Sequence, residues 1–313
     1  MHCALYILHC PDLNHRKLCI SRRVKHYIKN MYIYDDLRKD CCMMCRGGVE
    51  CGSIGRSLGG AHIVYFHLGP KDGGQIIIQG GMHAREWITS LLVARQAYML
   101  RETDLPLGIY FLPMTNPDGC TLAQVGADAF PSYRQLLLDI NGSPDFSMWK
   151  ANLRGVDINC NFAARWGQGK GNLREPAPAS CVGDAPASEP ETAALVRFTR
   201  TVRPVMTVSY HALGREVYYE FGQSGDALKR DAFFAGKIAK YLGYRLVPGD
   251  LGSAGGYKDF CVSALGIPAV TIEIVSEAHS HPLSERDLIG EDKNVWLPEF
   301  LTKLLKKNLC ARR

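Results

Sequence analysis

The sequence predicts a single layered α/β domain with a mixed central β-sheet flanked by helices. Short apolar runs of strand length alternate with longer stretches whose apolar residues recur at helical spacing. The strands on either side of the longest polar region have the same character, so no boundary between two domains is visible. The strand-like runs fall at 61–68, 75–79, 108–114, 205–210 and 269–275. Helical patterns fall at 88–101, 191–202, 231–242 and 295–309; in the first of these Leu91, Leu92, Ala94, Ala97 and Tyr98 carry the apolar spacing. Between 116 and 190 lies an irregular region rich in Gly, Pro, Asn and Asp. Inside a compact domain a loop that long is usually functional.

Composition sets the outer bounds. A chain of 313 residues with 46% hydrophobic content can bury a full core. The net charge of +6 is modest, and part of it sits at the ends, in Arg22, Arg23 and Lys25 and in Lys303, Lys306, Lys307, Arg312 and Arg313. No basic stripe is interleaved with aromatic residues, so no nucleic-acid partner is expected. No run approaches the roughly 18 consecutive apolar residues of a membrane span. Residues 1–30 form a leader of unknown role, set apart from a domain at 31–310; the apolar run at 3–8 lacks the flanks of a signal peptide, which favours the cytoplasm. Twelve cysteines are scattered along the chain, with Cys41, Cys42, Cys45 and Cys51 clustered. Only Cys42 and Cys45 have the C-x-x-C spacing, so reduced thiols are expected there in preference to a zinc knot.

The residues that carry chemistry begin at Gly80-Gly81-Met82-His83-Ala84-Arg85-Glu86-Trp87, directly after an apolar strand. Strand ends are where α/β proteins build sites. A His and a Glu three positions apart can turn one nitrogen and one oxygen toward the same cation, a mixture that suits zinc. Alone, H-x-x-E is a weak signal, since many surface helices carry it as a solvated pair. A third ligand is available in His211, which follows the apolar run at 205–210. Its bland alternative is a half-buried histidine capping a strand. Glu273 interrupts the apolar run Ala269-Val270-Thr271-Ile272-Glu273-Ile274-Val275. An unpaired buried carboxylate is costly, so it must meet a cation or face a cavity. Beside a metal site it has the chemistry of a general base; otherwise it pairs with a core arginine.

These segments, in this order, resemble the zinc carboxypeptidases related to carboxypeptidase A. The similarity runs over roughly 34–305 and includes Tyr34-Asp35-Asp36-Leu37, Gly52-Ser53-Ile54-Gly55-Arg56-Ser57, Asn116-Pro117-Asp118-Gly119, Arg154-Gly155-Val156-Asp157-Ile158-Asn159 and Ser188-Glu189-Pro190-Glu191. The resemblance implies a carboxypeptidase A-like fold and one zinc ion per chain held by His83, Glu86 and His211, with Glu273 activating water and no organic cofactor. It implies that Arg85 contacts substrate and that Lys150 polarises the scissile carbonyl, with Arg154 as a second candidate for that task.

Three departures bear on substrate. The family's Asp-x-Asn-Arg-Asn segment, whose Asn and Arg grip a terminal carboxylate, reads Asp157-Ile158-Asn159-Cys160-Asn161 here. Asn159 remains, but the bidentate cation is gone. The tyrosine that closes over substrate has no counterpart at Leu251 or Gly252, and Tyr257 is the nearest substitute. Lys258 falls where the side-chain specificity pocket is lined, which favours an anionic group; its alternative is a solvated lysine beside Asp259. The run from Trp149 to Asp157 resembles the bacterial branch that cuts γ-D-glutamyl-diaminopimelate bonds in cell-wall stem peptides. The expected partner is therefore a peptide, with a catalytically silent binder of peptides or wall fragments and an N-acyl amino acid amidohydrolase as the competing functions. The oligomeric state stays open.

Overall fold

Ile76, Ile77 and Ile78 are all fully buried, which is what a strand covered on both faces requires. In the computed structural model, which describes residues 31–249, 252 and 254–310, they form β3 (Gln75–Gln79). This strand lies inside an eight-stranded sheet with β1 (Glu50–Arg56), β2 (His62–Leu68), β4 (Gly108–Leu112), β5 (Met206–Ala212), β6 (Glu216–Tyr218), β7 (Arg245–Val247) and β8 (Ala269–Ile274). The order is β1-β2-β4-β3-β5-β8-β6-β7. Strands β4, β3, β5 and β8 run parallel, and antiparallel strands join on both sides, making the sheet mixed as the sequence predicts. The leader and Leu251 lie outside the described residues.

Eight α-helices cover the sheet among the described residues: α1 (Tyr34–Arg46), α2 (Ile88–Leu100), α3 (Pro117–Val125), α4 (Arg134–Asn141), α5 (Pro190–Val202), α6 (Gly225–Leu242), α7 (Tyr257–Leu265) and α8 (Asp292–Cys310). Ile76 and Ile78 face a core shared with α2, α6 and α8, whereas Ile77 faces the opposite core with α5 and α7. Alternation along one strand thus assigns the two helical layers. No helix among the described residues is long and apolar enough to cross a membrane.

The region 116–190 is more ordered than the sequence predicts. Asn116 caps α3 by accepting a hydrogen bond from the Gly119 amide at 3.0 Å, and Pro117 occupies the first turn. Phe146, Trp149, Leu153 and Leu137 build a separate small core that holds the segment down. This anchoring places Trp149, Lys150 and Asp157 against the end of β3, as the backbone bonds Ala84 N–H to Lys150 O (3.1 Å) and Arg85 N–H to Trp149 O (2.8 Å) record.

Candidate active site

The site grows from the turn after β3. Gly81 has φ +59, and a Cβ there would stand 2.2 Å from Ser90 Oγ. Its amide donates to Thr89 Oγ1 at 2.8 Å, so glycine is required both by conformation and by space. The chain then extends through His83 and tightens into one 3-10 turn at Ala84–Glu86, whose own hydrogen bond runs from Glu86 N–H to His83 O. His83 and Glu86 thereby come to the same side: His83 Nδ1 lies 2.9 Å from Glu86 Oε1.

His211 completes the group. Its Nδ1 is 3.1 Å from His83 Nδ1 and 3.0 Å from Glu86 Oε2. The sequence sets His211 just past its strand; the structure extends β5 through Ala212, so His211 is a buried ladder residue. The ladder matters for chemistry. His211 pairs in register with Glu273 across the parallel β5–β8 pair, and residues opposite each other project to the same face. One backbone register therefore sets the base beside the ligand.

These three residues fit a zinc ion. Two imidazole nitrogens and a carboxylate oxygen are the donor set of catalytic zinc, and bond lengths of about 2.0–2.1 Å imply tetrahedral edges of about 3.3 Å. The two nitrogens stand 3.1 Å apart, close to that value, and each lies beside one oxygen of the Glu86 carboxylate, Oε1 at 2.9 Å from His83 and Oε2 at 3.0 Å from His211. Behind His83 stands Asp157, with Oδ1 at 3.3 Å from Nε2. Its two oxygens also accept amide hydrogens from Asn159 and Ser180, each at 3.1 Å. A carboxylate held so firmly fixes the imidazole's tautomer and orientation.

The charges are strongly coupled. Burial alone would lower the His83 pKa, but the neighbouring Glu86 and Asp157 carboxylates override it and raise it to about 9. Burial works against the Glu86 carboxylate too, yet His83 and His211 hold its pKa well below the ordinary range. Glu273 is pushed up to about 8, first by burial and then by the Glu86 charge, against the pull of His83, Lys150 and Arg85. Those values belong to the protein's own charges; a divalent cation at the three ligands would lower the Glu273 pKa further by direct attraction.

A cavity of about 390 Å³ opens over the cluster, lined by His83, Glu86, Glu273, Arg85, Lys150 and His281 among others. Arg85 and Lys150 thus share the cavity with His83, Glu86 and Glu273, and Arg85 keeps a buried Nε without a hydrogen-bond partner among the described residues. The remaining predicted residues do not line this cavity. Arg154 is exposed and pairs with the buried Glu189 at 3.4 Å. Asn159 accepts the Tyr257 amide at 3.1 Å, closing the start of α7. Tyr257 is fully buried and shares a hydrogen bond of 2.8 Å with Thr199, so its hydroxyl is spent inside the protein.

Lys258 corrects both expectations for it. It is neither solvated nor free for an anionic substrate: only 8% exposed, its Nζ lies 2.6 Å from Asp259 Oδ1 and 2.7 Å from the Glu220 carbonyl. Sequence reasoning assigned no role to Asp157, Tyr218, His279 or His281, the last three on the cavity wall. The pair His279-Ser280-His281 in a polar loop after the Glu273 strand was a readable signal. Tyr218 had none, because its strand has three residues.

Such an arrangement has the parts of a metallohydrolase: a three-residue ligand set, a carboxylate beside it and cations around an open cavity. A family model described as zinc carboxypeptidase, peptidase M14, matches residues 39–297, and the chain belongs to that family. Gamma-D-glutamyl-L-diamino acid endopeptidase 1 of Lysinibacillus sphaericus is 29% identical over 235 residues, 70% of this chain and 59% of that protein. Murein peptide amidase A of Escherichia coli K12 is 29% identical over 175 residues, 53% of this chain and 61% of that protein. The chain therefore spans about three fifths of these two relatives. In fold it resembles the carboxypeptidase A of Helicoverpa armigera, with a TM-score of 0.72 at 17% identity over 90% of this chain and 75% of that one.

Proposed function

We propose that this chain is a zinc peptidase that hydrolyses an amide bond near the C-terminus of a peptide, with the γ-D-glutamyl-diaminopimelate linkage of cell-wall stem peptides as its substrate class. The observation that carries the reading is the ladder pairing of Glu273 with His211, which puts a carboxylate next to a zinc-type donor set on a solvent-reaching cavity. His83, Glu86 and His211 would hold one zinc ion, which supplies Lewis-acid charge for acidifying water and polarising a carbonyl.

The chain's own groups do the rest. Glu273 takes a proton from the attacking water on a carboxylate oxygen and returns it to the departing amine, so its proton count is restored each turnover. Arg85 and Lys150 bring positive charge to the carbonyl oxygen as it becomes anionic. Asp157 keeps the His83 ring from turning.

Substrate choice follows from which cations are free. With Cys160 in place of the family's arginine and Lys258 neutralised by Asp259, a substrate carboxylate is met by Arg85, Lys150 and the His279–His281 wall. The relatives' names, one a γ-D-glutamyl-L-diamino acid endopeptidase and one a murein peptide amidase, support wall peptides as the class. The deciding assay is release of diaminopimelate from L-Ala-γ-D-Glu-meso-diaminopimelate by zinc-loaded protein, with Glu273→Gln alongside. Release that disappears in the variant supports the proposal. Turnover of ordinary C-terminal dipeptides alone would discard the substrate class, and no turnover of either by zinc-loaded protein would sink the enzymatic reading.

A further inference from the structure

Far from this cavity, the cysteines singled out near the start of the sequence come together. Cys41 and Cys45 sit four residues apart on α1, which places them on one helical face. The chain then turns through Gly47 and Gly48 into β1, whose second residue is Cys51. As a result the three sulfur atoms lie within 4.8 Å of one another. Cys51 Sγ also stands 3.4 Å from the Val49 carbonyl and 3.8 Å from the Cys41 carbonyl. Cys42, their neighbour in sequence, is not part of the group.

Packing explains the three unequally. Cys41 is 3% exposed and joins Leu37 and Met44 in the core, as a small apolar residue would. Cys51 is half-buried against the edge of the same core, and Cys45 is exposed, so burial accounts for Cys51 in part and for Cys45 hardly at all. Three facing thiols have only weak S–H donors to share, and that of Cys51 can reach a backbone carbonyl, whereas a single cation takes a lone pair from each sulfur. With Zn–S bonds of about 2.3 Å, tetrahedral S···S edges are about 3.8 Å, so the three atoms need to close by an ångström at most from their 4.8 Å limit. The graded burial leaves one side open to water. The two carboxylates adjacent in sequence are both engaged elsewhere, Asp40 accepting from the Tyr32 hydroxyl at 2.7 Å and Glu50 pairing with Lys71 at 2.7 Å, which leaves sulfur as the donor set.

We infer that Cys41, Cys45 and Cys51 form a second metal site, a three-thiolate clamp for one soft d10 cation of the zinc kind, with its fourth position open to solvent. Sulfur-only donors select such ions over magnesium or calcium. Each thiol gives up its proton on binding, so one divalent ion releases up to three protons and leaves a site of net charge −1. The clamp ties α1 to the edge strand β1. It lies four strands from β5, about 19 Å across the sheet at about 4.8 Å per strand, so it acts on the fold and not on the hydrolytic step.

Cadmium titration of the reduced full-length chain tests this, because cadmium bound to thiolates shows an ultraviolet charge-transfer band that histidine and carboxylate ligands do not give. The band should saturate at one equivalent, survive in a Cys3→Ser/Cys10→Ser/Cys19→Ser variant, and be lost in Cys51→Ser and in Cys45→Ser. Cys45 is exposed, so its variant keeps the fold even where a core change would not, and far-ultraviolet circular dichroism checks this. Persistence of the band in Cys45→Ser and Cys51→Ser, its loss in the leader variant, its absence in the wild type, or a disulfide between two of the three in unreduced protein would each overturn the site. Amide hydrolysis should be unchanged in Cys45→Ser, so a failed clamp and a failed hydrolase remain separate results.

Discussion

The ligand cluster and the start of α7 are built on opposite principles. At the cluster, His83, Glu86 and His211 point polar atoms at one another, and His211 Nε2 is buried without a hydrogen-bond partner. At the start of α7, Asn159, Tyr257 and Lys258 have each found a partner inside the protein. Sequence similarity nominates residues in both places. Whether a side chain can serve a ligand depends on what it already satisfies, and around the cavity His211, Arg85 and His281 each keep a buried nitrogen without a hydrogen-bond partner among the described residues.

Four manipulations would break or sharpen this contrast. The largest effect is expected from Glu273→Gln, which should lower kcat by about 10³-fold or more, within the range of general acid–base catalysis, while zinc content measured by atomic absorption stays the same. A variant that keeps wild-type turnover would remove Glu273 from the chemistry. Next, Lys258→Met should act on stability. It strands the Asp259 carboxylate in the interior, where losing one member of a buried pair costs about 3–5 kcal/mol, so the denaturation midpoint should fall while KM is unchanged. A raised KM in a fully folded variant would return Lys258 to the substrate pocket.

Asp157→Asn should be milder, weakening zinc about 10–100-fold through a loosened His83, read by competition with a chelator. Zinc affinity equal to wild type would mean that the backbone turn alone orients the ring. The gentlest probe is pH on the metal-free protein. The folded-state pKa values of Glu273 and His83 are raised from 4.5 and 6.5 to about 8 and about 9. The folded protein thus holds extra protons, a stabilisation present below the unfolded values and lost as pH rises through the folded ones. Its Tm should fall between about pH 6.5 and about pH 9, above the range in which the lowered pKa values of His211 and His281 act in the opposite sense, with Glu273→Gln removing the lower part of the slope. Zinc should flatten the slope, because His83 must shed its proton to bind. A metal-free Tm that climbs across this window would contradict the charge assignment.

Much of the frame was legible because burial on both faces writes long apolar runs. β3 begins and ends where the isoleucine run predicts, and α2 is one residue shorter than its pattern. β1 was hidden by its composition: Cys51, Gly52, Ser53 and Gly55 leave Ile54 as its single buried residue. β6 and β7, at three residues each, are too short to show a period. α1 did carry a helical spacing, Leu37, Cys41 and Met44, but it is visible only if cysteine is counted as apolar. At the site, His211 and Glu273 could be found because an apolar strand explains poorly why it should carry them, and His83 and Glu86 because they follow closely on one. Lys258 could not be read, since the partners that neutralise it are its sequence neighbour Asp259 and a carbonyl 38 residues away.

The in-register pairing of His211 with Glu273 also governs how this protein can tolerate changes in length. Fifty-six residues separate Ala212 from Ala269, and lengthening a surface loop among them costs only about 0.6 kcal/mol per doubling. Inserting or deleting one residue within β5 or β8 is another matter, because it turns either the ligand or the base to the far side of the sheet. Indels should therefore accumulate in the connection and be purged from two short strands, and a deep insertion scan would draw the active site as a pair of narrow intolerant bands.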